Sequence, residues 1–92
     1  MITVNEYFDG AVKSLGYESN GKSTVGVIEP GAYEFGTSTH ETMIVLEGEM
    51  NVLLAGVEGW KTYIANESFE VDANSSFKVE VATQVSYLCK YK

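Results

Sequence analysis

Apolar and polar positions alternate with a period of two over short runs along this chain of 92 residues, and Gly, Asn, Asp and Ser separate the runs. Successive side chains of a strand point to opposite faces, so the pattern predicts half-buried β-strands and calls for no helix. Strands are expected near Ala11–Tyr17, Ser23–Ile28, Ala32–Gly36, Thr42–Leu46, Glu49–Leu54, Trp60–Ile64, Ser68–Val71, Ser76–Val81 and Val85–Tyr91. Ser38-Thr-His-Glu41 imitates a helix capping box, but the following Thr42-Met-Ile-Val-Leu46 is rich in β-branched residues and reads as a strand. Many short strands at regular spacing predict an all-β sandwich or barrel, one domain over residues 1–92, with closure of the sheet hiding its edges.

Composition narrows this. Hydrophobic residues make up 45%, with six Tyr, four Phe and one Trp, enough for a packed interior. A chain this short buries only roughly 60% of the surface exposed by its unfolded form, so its core must be efficient or shared with a partner. Thirteen acidic residues against six Lys and no Arg give a net charge of −7, which argues against nucleic acid and anionic membranes as partners. A phosphate-bearing ligand would need a local lysine or backbone N–H groups, because charges further than about 8 Å away are screened. The lone Cys89 excludes an intrachain disulfide. Met1-Ile-Thr-Val-Asn-Glu lacks a basic start and an apolar core, and a cytoplasmic location is expected.

Gly16-Tyr-Glu-Ser-Asn-Gly21-Lys22-Ser23 matches the phosphate-loop pattern formally. That loop works by opening a helix whose N-terminus faces the phosphates, whereas here Thr24-Val-Gly-Val-Ile28 is a strand. A polar hairpin turn is the expected structure, leaving only a contact between Lys22 or the turn and a phosphate at the rim. Period two puts Glu41, Met43 and Val45 on one face, and parity in other strands brings Tyr33, Phe35, Phe77 and Val79 there. The result is either a filled core or an aromatic cavity with one carboxylate, and a carboxylate on a core face is costly unless paired or hydrated. His40 and Glu41 are adjacent, point to opposite faces and cannot easily share one ion. His40 is expected in an exposed loop. Tyr87, Cys89 and Tyr91 share a face, and Cys89 is expected to be a small buried hydrophobe and not a nucleophile.

Gly31-Ala-Tyr-Glu-Phe-Gly-Thr-Ser-Thr-His-Glu-Thr-Met-Ile-Val-Leu-Glu-Gly48 has the glycine, glutamate and closing glycine of the first cupin motif without its metal-binding histidines. The positions for two of them fall around Glu34 to Thr37, and Phe77 stands where a third is expected. With too few convergent ligands, a metal-free pocket is favoured. From Asn5-Glu-Tyr-Phe-Asp-Gly through Val25-Gly-Val to Tyr87-Leu-Cys-Lys-Tyr91, nearly the whole chain resembles the pyrimidine/purine nucleoside phosphorylases. Asn66, Asp72 and Asn74 depart from that pattern, standing where such relatives have the glycine, proline and following polar residue of the second cupin motif.

The resemblance implies a single cupin-like antiparallel β-barrel of jelly-roll type. It also implies a homodimer that uses orthophosphate to convert purine and pyrimidine nucleosides to ribose 1-phosphate and free base, with no metal or cofactor. Glu41 would be the catalytic carboxylate, with Tyr33, Phe35, Thr37, Met43 and Phe77 around the nucleoside. Lys13, Ser14 and Lys90 are the candidates for binding phosphate, chosen because cations are scarce. The competing reading is a non-catalytic cupin module that binds a sugar or nucleoside.

Overall fold

The computed structural model describes every residue from Met1 to Lys92 and is all-β, with no helix. The strands are β1 (Thr3–Tyr7), β2 (Val12–Glu18), β3 (Lys22–Ile28), β4 (Gly31–Gly36), β5 (Glu41–Glu47), β6 (Met50–Leu54), β7 (Lys61–Tyr63), β8 (Ser68–Val71), β9 (Ser76–Val81) and β10 (Val85–Tyr91). They form a six-stranded sheet in the order β1-β2-β3-β10-β5-β8 and a four-stranded sheet in the order β4-β9-β6-β7. All pairings are antiparallel. No helix is long and apolar enough to cross a membrane.

The expected cupin-like layering is present, but the barrel is not closed. It opens into two sheets whose edge strands are β1, β8, β4 and β7. The inner faces meet in one core that includes Val12 and Ile28 from the large sheet and Met50, Val52 and Val79 from the small one. Alternation follows the sequence pattern, with every second residue of β9 and β10 buried: Phe77, Val79 and Val81, then Val85, Tyr87 and Cys89.

The strand missing from the sequence-based expectation is β1. Its apolar Val4 points to solvent at 70% exposure, whereas inward-facing Asn5 donates to Ser14 Oγ at 3.4 Å. A strand with a polar inner face gives no core periodicity to detect.

Turn chemistry fixes the corners. The phosphate-loop look-alike is a hairpin, with Asn20 at φ 56° and Gly21 at φ 108° between β2 and β3. Gly48 carries the chain from the large sheet to the small one at φ +90°, and a Cβ there would lie 2.9 Å from Val85 Cγ2. Asn66 takes φ 73°, a left-handed conformation that asparagine tolerates better than most residues.

Candidate functional site

One end of the sandwich holds a cavity of about 240 Å³ between the sheets. The large sheet contributes Ser14 from β2, Glu41 and Met43 from β5, and Tyr87, Cys89 and Tyr91 from β10. The small sheet contributes Phe35 and Phe77, whose rings stack with centroids 5.5 Å apart. Phe8 closes the mouth edge-on to Phe35, at 5.6 Å. It is held there by consecutive left-handed residues, Phe8 at φ 54°, Asp9 at 56° and Gly10 at 86°. A bulky aromatic at positive φ is an outlier that costs about 1–3 kcal/mol, and the rest of the fold must impose it.

Glu41 is half-buried on this apolar wall. Desolvation raises its pKa above the ordinary value, opposed by a hydrogen bond from Cys89 and by the charge of Lys22. The Cys89 thiol donates to Glu41 Oε1 at 3.4 Å. Burial, and then the neighbouring carboxylate, push that thiol up to about 12, so it remains a protonated donor and not a nucleophile. Burial likewise pushes Tyr87 up to about 12 and raises Tyr91. The Tyr91 hydroxyl lies 3.1 Å from Thr24 Oγ1. The cavity therefore presents the half-buried Glu41 carboxylate, neutral hydroxyl and thiol donors, and aromatic side chains, with the exposed Glu34 also in its lining.

A second, polar chamber of about 470 Å³ adjoins the first and shares Tyr7, Gly36, Glu41 and Tyr91 with it. Ligand pockets usually measure roughly 300–1,000 Å³, so the aromatic cavity alone is small and the two together fall within that range.

The structure brings together Glu41, Phe35, Met43, Phe77 and Ser14. Four other residues expected from the sequence do not reach the cavity. Tyr33 sits behind its wall, 5.0 Å from the Phe8 ring, and its hydroxyl donates to Glu29 O at 2.7 Å. Thr37 Oγ1 donates to Asp72 O at 2.6 Å and accepts from Ser75 N at 2.9 Å, so its polar capacity is spent on the β8–β9 turn. Lys13 and Lys90 occupy the alternate strand positions to Ser14 and Cys89, which puts them on the outer face of the large sheet. Lys13 Nζ lies 3.8 Å from Glu6 there. Parity makes lysine a poor companion to an inward Ser14 on the same strand.

His40 faces outward, with Nε2 2.6 Å from Glu70 Oε1. No group of three or more His, Cys, Asp or Glu side chains is placed to hold a metal ion. Sequence reasoning missed Phe8, which only an unusual turn delivers to the mouth, and Tyr7, whose strand has no apolar inner face. Tyr87, Cys89 and Tyr91 were visible as one face of a strand, but what that face meets depends on sheet packing.

A two-layer antiparallel jelly roll with a hollow between its sheets defines a cupin-like domain. An RmlC-like cupin from Shewanella frigidimarina has this fold, with a TM-score of 0.77 at 20% identity, covering 98% of this chain and 82% of that one. The family model for pyrimidine/purine nucleoside phosphorylase matches residues 2–91, and the chain belongs to that family. A relative from Magnetococcus marinus named pyrimidine/purine nucleoside phosphorylase is 53% identical over 92 residues, covering 99% of each chain. A crystal structure of a protein of unknown function from Vibrio parahaemolyticus superposes with a TM-score of 0.96 at 44% identity, covering 100% of this chain and 99% of that one.

Proposed function

We propose that this protein catalyses metal-independent phosphorolysis of purine and pyrimidine nucleosides to ribose 1-phosphate and free base. The observation that carries the reading is the half-buried Glu41 carboxylate facing an aromatic cavity, in a chain of this family. Breaking the glycosidic bond builds positive charge on the ribose ring, and a fixed carboxylate in a partly dry site stabilises it. A phosphate oxygen bonds to the anomeric carbon as the carbon–nitrogen bond breaks, its electron pair leaving with the base. The proton of hydrogenphosphate ends on that base, so the exchange balances without a cofactor.

Phe8 and Phe35, with Phe77 stacked on Phe35, give the cavity an aromatic lining that does not read the edge of a base, which supports broad specificity. Met43 fills the floor, while Tyr33 and Thr37 support the wall from behind. The Ser14 hydroxyl remains a candidate ligand for ribose or phosphate.

Purified protein incubated with uridine or inosine should release base only when phosphate is added, and a chelator should not stop it. Glu41→Ala should lower kcat/KM by roughly 100-fold or more while the melting transition is retained. Release without phosphate would make the protein a hydrolase. Thermal stabilisation by nucleoside with no turnover would make it a binding module.

The proposed assembly is a homodimer through the outer face of the large sheet. There Val4, Leu15, Val25, Leu88 and Ile44 pair in register across five strands, and Leu15 is 44% exposed. A two-fold axis would set this aliphatic row against itself.

A further inference from the structure

Resting on the phosphorolysis reading, we infer that the polar chamber beside the aromatic cavity is the orthophosphate subsite, with the Lys22 ammonium as its cation. The chain has six lysines and no arginine, and the fold sends the others elsewhere. Lys13 lies beside Glu6, and Lys90 shares its outer face. Lys61 covers the Tyr63 ring at 5.1 Å on the small sheet, and Lys78 lies exposed on β9 opposite buried Phe77 and Val79. Lys92 follows β10, with its backbone N–H donating to His40 O at 2.9 Å. Lys22 alone among the lysines lines the chamber that also contains Glu41.

Its position is built and not incidental. Lys22 has the parity of Thr24, Gly26 and Ile28, so β3 directs it to the inner side. Its Nζ lies 5.2 Å from the centroid of the Tyr91 ring, a cation–π contact, and Thr24 Oγ1 lies 3.1 Å from the hydroxyl of that same ring. Neutral donors surround the chamber: the Asn5 amide and the hydroxyls of Thr3 and Ser38. Glu18 also lines it and pairs across the hairpin from Lys22, both residues being exposed.

The two chambers meet at Glu41 and Tyr91. With the base among the phenylalanines and phosphate by Lys22, the anomeric carbon sits at the junction. Nucleophile and leaving group then lie on opposite sides of it, as displacement requires. Phosphate attracted by Lys22 also stays on the far side of Glu41 from the base, leaving that carboxylate free for the ribose.

The test compares Lys22→Gln with wild type in two measurements: initial rates at varied phosphate and fixed nucleoside, and ³¹P line broadening of inorganic phosphate by the protein. Lys22→Gln should raise the KM for phosphate roughly 10- to 100-fold, the weight of one charge-assisted contact, with the nucleoside KM within about twofold. It should also abolish the line broadening, while Lys22→Arg restores both. Lys13→Gln and Lys90→Gln should match wild type. Turnover by Lys22→Gln with an unchanged phosphate KM would overturn the subsite and leave phosphorolysis standing. Wild type that turns over no nucleoside but broadens the phosphate line in a Lys22-dependent way would keep the subsite and sink the phosphorylase reading. Wild type that broadens no line and shows no saturation by phosphate would overturn the subsite.

Discussion

Cys89 is best understood through the carboxylate it serves. Its thiol is the hydrogen-bond donor to Glu41, and burial keeps it protonated. Without that donor, desolvation would act on Glu41 with less opposition and its pKa would climb further. Cys89→Ala should therefore move the acidic limb of the pH–rate profile upward, and Cys89→Ser, which keeps a donor, should restore it. A limb that does not move in the alanine variant would show that the thiol is packing alone. Stability carries the same sign. Glu41 binds more protons folded than unfolded between its ordinary 4.5 and its raised folded value. Its contribution is full below 4.5 and is lost as pH rises through the folded value. Urea titrations of Glu41→Gln should lack that component of the decline.

Among the elements, β10 shows how backbone and site are joined. It pairs with β3 on one side and β5 on the other, which brings Tyr87, Cys89 and Tyr91 beside Glu41 and Met43. The register demands Gly26 opposite Tyr87, since a Cβ at Gly26 would lie 2.6 Å from the Tyr87 hydroxyl and 2.8 Å from Lys13 O. Gly26→Ala should cost about 1–3 kcal/mol in chemical denaturation. Displacing the Tyr87 ring from the cavity wall should lower kcat/KM as well. Full stability with full activity would mean that the sheet absorbs the methyl group by a shift.

At this scale much was legible beforehand. Ser68–Val71, Ser76–Val81 and Val85–Tyr91 are strands as their alternation predicts, because each buries one face. β1 was hidden by its reversed polarity, and β7 is shorter than Trp60–Ile64 because only Lys61 to Tyr63 meets β6.

For the whole molecule, the cupin-like fold takes the form of two sheets with open edges, and the outer face of the larger one carries the aliphatic row of Val4, Leu15, Val25, Leu88 and Ile44 among charged neighbours. If that face is the dimer interface, Leu15→Lys places a charge on the two-fold row. Light scattering should then fall from twice the 10.1 kDa chain mass to one chain, with the circular dichroism of the sheet retained. A wild-type protein that is monomeric at micromolar concentration would remove the interface from consideration.

By itself, the sequence determined the strand class, the shared face of Glu41, Met43 and Val45, and the absence of histidines at the cupin metal positions. These are local properties, set by period-two alternation and by which residue types are present. Only the tertiary structure decided which strands face each other. That placed Cys89 on the Glu41 carboxylate, Phe8 over the mouth, Lys22 in the neighbouring chamber, and Lys13 and Lys90 outside. Parity tells a side chain which face of its own sheet it takes, whereas its neighbours across the gap are fixed by registers between strands far apart in the chain.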